Sequence, residues 1–486
     1  MKLRFVRLMS LILAFLMLLS LATACSAGEE TETEAATTGN TETEGATEKQ
    51  PSVQKKDYGT EFTAFYCEDI FPIDYYLIEE DRRKPGNDMD DRVYERMLNI
   101  QEHLGVEITA VNGGGYLEYV APIRTSIGAG DDAYQMVMTH VHWGVSGMFL
   151  DNLMKDLGDF NTLQLDADYW NGALMEDLAI NGRMYCGYND YMLANCNVVA
   201  FNKDMYAEYA AATGDLYDHV RNKTWTMEKF IEVATLVSQD NGDGKWDTED
   251  TYGLATWAWA PLISFQVGCG IPIVQKDSEG EPYYSPMVDN PDKIVELDEM
   301  IYNLMNQRSV FKWGLGDVPQ LHIRSGRVLC ELMGTFTLVS TKEEEVKVGV
   351  LPYPLWDSKQ EDYVTMSWNG IMCVPTTVRN EDMVGDVLEM LAWYSEPVTT
   401  AFYETLLGSK VAEAPEDAEM LELIWRTQTA DMGLIYCDST VAPGMDHILY
   451  AIPHHVTLNT PAYATYFKQN SRSAQRYLDR LFRLGE

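Results

Sequence analysis

Beyond Tyr58 the chain alternates short apolar runs with stretches whose apolar residues recur every three or four positions. Thr60 to Tyr66 reads as a strand. From Asp91 to Leu104 the spacing sets Val93, Met97, Ile100 and Leu104 on one helical face, with Gly105 as a stop. Val106, Ile108 and Ala110 alternate as a second strand. A helix over about Tyr116 to Ile127 ends in Gly128–Asp132, and Met136 to Met138 forms a third apolar strand. Strand, helix, strand, helix, strand predicts an α/β sheet with helices on its faces.

The same grammar resumes later. Thr226 caps a helix that buries Phe230, Val233, Ala234 and Val237. Asn290 and Pro291 begin another, with Ile294, Leu297, Ile301 and Leu304 on its buried face. Asp382 to about Tyr394 buries Val384, Val387, Leu388 and Leu391. There is no repeat of fixed period and no run of heptads, so two α/β lobes is the economical architecture.

The N-terminus follows different rules. Lys2, Arg4 and Arg7 precede an apolar run from Leu8 to Leu21, too short to span a membrane, and small residues lead to Cys25. This reads as a secretory signal over residues 1–24. Ala22-Thr23-Ala24-Cys25 resembles a bacterial lipobox, which makes Cys25 the expected lipidated first residue of the mature chain. Seven glutamates between Glu29 and Glu48, with almost nothing large and apolar around them, predict a disordered acidic tether over residues 25–56.

Composition narrows the partners. Removing Lys2, Arg4 and Arg7 takes the formal charge from −39 to −42, which argues against nucleic acid and anionic membrane surfaces. The chain holds 11 Trp and 28 Tyr, enough to build a core and leave rings for a binding surface. Seven cysteines remain beyond Cys25: Cys67, Cys186, Cys196, Cys269, Cys330, Cys373 and Cys437. No pair has metal-ligand spacing, and sequence alone assigns no disulfide. There is no GxSxG, no HExxH and no phosphate-binding glycine loop, so nothing marks an enzyme, and no catalytic residue or catalytic cofactor is expected.

Several stretches, taken in order, resemble the extracellular solute-binding proteins of ABC importers, the sugar-binding type. Leu104-Gly105-Val106-Glu107-Ile108 resembles the family's helix end and second strand. Asn181 to Tyr206, closed by Asn202-Lys203-Asp204, resembles a hairpin and strand crossing between lobes. Lys223-Thr224-Trp225-Thr226, Lys347 to Asp357, and Trp368-Asn369-Gly370 running into Ile371 to Pro375 extend the match. The sequence departs at Gln135, where many members have Asp, and at Cys186-Gly187, where a Pro is usual. The resemblance implies a periplasmic-binding-protein-like fold of type II, two lobes joined by a hinge, with the solute held between them. First-lobe residues are expected at 58–194 and 352–400, second-lobe residues at 195–351 and 401–486. It further implies an ABC permease as partner, a lipid anchor on the outer face of a bacterial membrane, and a monomer.

Two constellations are candidates for chemistry. Gln239, Asn241, Asp243, Lys245 by its carbonyl, Asp247 and Asp250 stand at the alternating positions of a twelve-residue calcium loop, with Gly244 at its turn. A structural calcium ion and a metal-free acidic turn both fit this pattern. For the solute, aromatics beside polar residues on loops suit the C–H faces and hydroxyl rims of sugars. Trp143, Tyr188, Asp190, Trp257, Trp259, Trp368 and Asn369 are the candidates, and period-two spacing would put Trp257 and Trp259 on one face. A carbohydrate, as an oligosaccharide, is the expected ligand. A peptide or polyamine, a sensor role, and a secreted glycosidase are the alternatives.

Overall fold

The computed structural model describes residues 52–84, 86–314, 321–340, 346–407, 414–438 and 446–483. Residues Lys55–Glu486 form one compact unit. The signal segment, Cys25 and the tether as far as residue 51 lie outside the described residues.

Strands follow one another as Thr60–Tyr66 (β1), Val106–Asn112 (β2), Met136–Thr139 (β3), Asn197–Asn202 (β4), Ser238–Gln239 (β5), Thr251–Trp257 (β6) and Val274–Lys276 (β7). Then come Pro282–Tyr284 (β8), Val310–Trp313 (β9), Val328–Gly334 (β10), Val348–Leu351 (β11), Thr365–Met366 (β12), Ile371–Cys373 (β13) and Gln428–Thr429 (β14). One sheet has the order β13-β3-β1-β2. Its β1 runs parallel to both β2 and β3, so Ala64 faces Ala110 on one side and Met136 on the other. Strand β13 returns antiparallel beside β3. The second sheet has the order β11-β4-β10-β6-β5, with β9 also paired to β6. Every residue of β4 is buried, as expected of a central strand covered on both faces, and this explains its sequence of Asn-Val-Val-Ala-Phe-Asn.

Side-chain caps open several of the helices. The Asn87 side chain accepts the Met89 N–H, the Thr226 hydroxyl accepts the Lys229 N–H, and the Asn380 side chain accepts the Met383 N–H. Each such cap contributes about 1 kcal/mol. Helix Asp88–Leu104 starts three residues before the predicted position and buries Val93, Met97, Ile100 and Leu104 as its pattern demands. Gly105 ends it in the left-handed region at φ +59°. The helix predicted from Tyr116 instead spans Val120–Ala129. Competing side-chain bonds hold the preceding turn, where Asp69 accepts the Tyr116 N–H and Asn112 accepts the Gly114 N–H.

Around the second sheet, Trp225 is fully buried and donates its indole N–H to the Pro352 carbonyl at 2.9 Å. Phe230 and Phe265 pack beside it, ring centres 5.1 Å apart. Tyr353, Leu355 and Tyr363 belong to this same apolar core. Expected with the first lobe, residues 352–364 therefore pack with the second sheet, because the Leu355 N–H bonds to the Trp225 carbonyl and the Leu355 carbonyl accepts the Met227 N–H. The chain rejoins the first sheet at β13. The helix Glu396–Leu407 packs on helix Asp88–Leu104 and so carries that lobe past residue 400.

The seven cysteines from Cys67 through Cys437 are buried. No helix among those residues is long and apolar enough to cross a membrane.

Candidate functional site

Three backbone segments cross between the sheets side by side. Cys196 bridges to Ser367, and β12 pairs with β14. Polar side chains lock the crossing. The Asn195 carbonyl accepts the Trp368 N–H at 2.9 Å, and the Asn369 side chain accepts the Asn195 N–H at 2.7 Å. The Thr335 hydroxyl donates to the Ala194 carbonyl and accepts the Cys196 N–H. Beside it, Gly370 fills a position where a Cβ would lie 2.2 Å from the Thr139 carbonyl oxygen, so only glycine lets β13 lie this close to β3.

The ends of both sheets point toward this crossing. Loops at Gly113–Tyr116 and His140–Trp143 follow β2 and β3, and Trp368 precedes β13. From the second sheet, Trp257 and Trp313 end β6 and β9 as register partners, and Thr335 follows β10. Sheet ends facing one another are where α/β folds hold ligands.

An unbroken series of ring contacts joins the two sides. Tyr116 meets Trp143 edge-on at 5.2 Å and His140 at 5.8 Å. His140 meets His142 at 5.0 Å, and His142 meets both Trp368 and Tyr450 at 5.8 Å. Tyr450 stacks on Trp259 at 4.6 Å, and Trp259 meets His454 at 5.0 Å. The series is hydrogen-bonded as well as packed. His140 Nδ1 accepts the backbone N–H groups of His142 and Trp143, and His142 Nε2 lies 2.9 Å from the Tyr450 hydroxyl. Burial pushes His142 and His454 down to about 4, and His140 well below the ordinary histidine value. At neutral pH these imidazoles are uncharged.

Of the seven predicted ligand residues, Trp143, Trp259 and Trp368 enter this array, and Asn369 adjoins it through Asn195. Trp143 and Trp368 are half-buried, whereas Trp259 is buried. The period-two spacing does not extend from Trp257 to Trp259, because only the first belongs to the strand. The first ends β6, and the second leaves the extended conformation, at φ −139° and ψ −109°, to begin the helix Ala260–Gly268. Tyr188 and Asp190 lie elsewhere in the first lobe. Tyr188 is buried and accepts the Asn171 N–H on its carbonyl, while the Asp190 backbone joins Tyr169 and Thr399. Tyr116, His140, Tyr450 and His454 complete the array without having been selected from the sequence. The adjacent pair His454-His455, which reads as a surface or packing feature, splits: His454 joins the array and His455 stacks on Tyr302 beside Asp298.

The loop Gln239–Asp250 is arranged as a hydrogen-bonded turn. The two carboxylate oxygens of buried Asp250 accept the N–H groups of Asn241 and Asp247. Asp240, not Gln239, accepts from Gly242 and Gly244, and those bonds hold its carboxyl below the usual range. Among the described residues no group of three or more His, Cys, Asp or Glu converges on a metal position.

No family model matches the chain, and no characterised protein matches it by sequence. Solved structures do match it in shape. The ABC substrate-binding protein Lmo0181 of Listeria monocytogenes, in complex with cycloalternan, is 12% identical, with 86% of this chain and 99% of that one covered at a TM-score of 0.56. The GacH receptor of Streptomyces glaucescens, unliganded and with acarbose, is 12% identical over 87% and 99% at 0.58. UgpB of Mycobacterium tuberculosis, with glycerophosphocholine, is 14% identical over 86% and 98% at 0.54.

The fold is that of type II solute-binding proteins. The crossing at residues 194–197 and 365–369 joins the two sheets, and the aromatic array lies beside it.

Proposed function

We propose that the protein is an exported, lipid-anchored binding protein that captures a carbohydrate, as an oligosaccharide, between its lobes and delivers it to an ABC-type permease. The observation that carries this reading is the array at the facing sheet ends. Half-buried Trp143 and Trp368 offer aromatic rings, and the neutral imidazoles of His140 and His142 stand between them. Sugars need that mixture, because their C–H faces pack on aromatic rings while their hydroxyls take directed hydrogen bonds. Cycloalternan and acarbose, bound by matched proteins of the same fold, support the carbohydrate class. The lipobox-like Ala22-Thr23-Ala24-Cys25 supports the anchor.

A thermal-shift screen of the chain from Ser26 onward tests the reading, since a ligand of the folded state must raise the melting temperature. Mono- and oligosaccharides, polyamines and short peptides form the panel. A rise with one carbohydrate class supports the proposal, and a rise confined to polyamines or peptides would overturn it. Loss of membrane association in C25A tests the anchor.

A further inference from the structure

His142 lies in the loop after β3 and is 5% exposed. Its ring is held on three sides, edge-on to His140, Trp368 and Tyr450. Nε2 is 2.9 Å from the hydroxyl of Tyr450, the residue that opens the helix Ala451–Leu458 on the opposite lobe. Nδ1 is shielded from solvent and has no hydrogen-bond partner. The other two imidazoles of the array are satisfied at the equivalent atom. His140 Nδ1 receives two backbone N–H groups, and His454 Nδ1 lies 2.8 Å from the Tyr466 hydroxyl.

Tautomerism does not remove the deficit. If Tyr450 donates to Nε2, then Nδ1 carries the proton and lacks an acceptor. If Nε2 donates, Nδ1 is a bare lone pair. Both leave a desolvated polar atom unpaired, which is a costly arrangement. A hydroxyl completes either tautomer, because it donates and accepts. A carboxylate only accepts and an ammonium only donates.

We propose that Nδ1 of His142 hydrogen-bonds a hydroxyl of the bound solute, which makes His142 a specificity-determining residue and Tyr450 the group that fixes its other nitrogen. This rests on the carbohydrate reading above. The solute reaches Nδ1 as the loop after β3 parts from the helix at Tyr450, and the two enclose it on meeting. Burial supports the assignment by keeping the imidazole uncharged across the neutral range.

Two substitutions separate the ring nitrogens. In H142N the side-chain amide stands near the position of Nδ1 and loses Tyr450, while in H142Q it reaches Tyr450 and leaves the Nδ1 position empty. Calorimetry at pH 7 uses maltotriose, acarbose and ribitol as probes, with melting curves to confirm that each variant folds. For a probe that the wild-type protein binds, H142Q is expected to bind at least tenfold more weakly and H142N to retain more affinity than H142Q. Y450F, which keeps Nδ1 but removes the group that fixes Nε2, should weaken binding by about threefold, the worth of one hydrogen bond, and so by less than H142Q. Wild-type affinity in H142Q would overturn the assignment while leaving the carbohydrate reading intact. So would a loss in Y450F as large as that in H142Q, since His142 would then act only through Tyr450. Silence of the wild-type protein toward all three probes would overturn the carbohydrate reading and this inference together.

Discussion

The indole of Trp259 lies over the phenol of Tyr450, ring centres 4.6 Å apart and planes 26° from parallel. Through Tyr450 it is coupled to His142, so an indole that begins a second-lobe helix supports the loop after β3 in the first lobe. Trp259 is 9% exposed, whereas Trp143 and Trp368 are half-buried. The same residue type therefore does different things at different places in one array.

W259A should act on stability first. Emptying a buried indole position costs about 3 kcal/mol or more, visible as a lower melting temperature. W143A and W368A remove less buried surface and should shift melting by much less, while weakening carbohydrate binding tenfold or more. Melting curves and titrations on the three variants check the split. Equal melting losses in all three would mean that the array is packing alone.

Acid should destabilise the protein through its histidines. His142 and His454 sit near 4 in the folded chain against about 6.5 unfolded. The unfolded state thus takes up protons first, and stability falls as pH drops from 6.5 toward 4. For fully buried His142 the drop is about 3 kcal/mol. Asp431 has the opposite sign. Burial raises it to about 6 although it accepts the N–H groups of Ile273, Val274 and Gly433, so the folded state gains from its protonation between pH 6 and about 4. Burial lowers His140 as well and raises Asp298 and Asp417 as it does Asp431; the three histidines are expected to outweigh the three carboxyls, and the melting temperature should fall over this range. The fall should be shallower in H454Q and steeper in D431N, as read from melting curves between pH 7 and 4.

The strands and helices were legible because their cause is local. Apolar residues at period two or 3.6, with Thr226 as a cap, mark them directly, and β1 and β3 fall where the pattern sets them. Where a side chain from another segment intervenes, the local reading slips. Asp69 holds Tyr116 in a turn, and the helix starts at Val120. The site was half legible. Trp143 and Trp368 stand out as aromatics at strand ends, and His140-x-His142-Trp143 carried a further signal in its spacing. Tyr450 and His454 did not, because they reach the array from a C-terminal helix about 300 residues away, and only the folded chain brings them there.

The cysteines should be silent in the native protein. All seven from Cys67 to Cys437 are buried, and burial pushes the thiols of Cys67, Cys186, Cys196 and Cys330 up to about 12. The thiolate is the reactive form, so alkylation at pH 8 has almost nothing to attack. Mass spectrometry after iodoacetamide treatment of the chain from Ser26 onward should find no label in native buffer and seven in denaturant. Rapid native labelling of any one site would place that thiol at a surface or in a mobile element.

The acidic loop Gln239–Asp250 offers a test by chelation. Calcium wants six to eight oxygens, and both oxygens of Asp250 already accept an N–H group, from Asn241 and Asp247. Those two bonds, with the pair from Gly242 and Gly244 to Asp240, close the turn without a metal. Melting in excess chelator should therefore match melting in millimolar calcium. D250A should lower the melting temperature in both, since it removes two hydrogen bonds that close the loop, at about 1 kcal/mol each. A rise of several degrees with calcium, abolished in D250A, would instead mean that the loop rearranges into an ion cage around Asn241, Asp243, Asp247 and Asp250, and would make the metal a structural part of the second lobe.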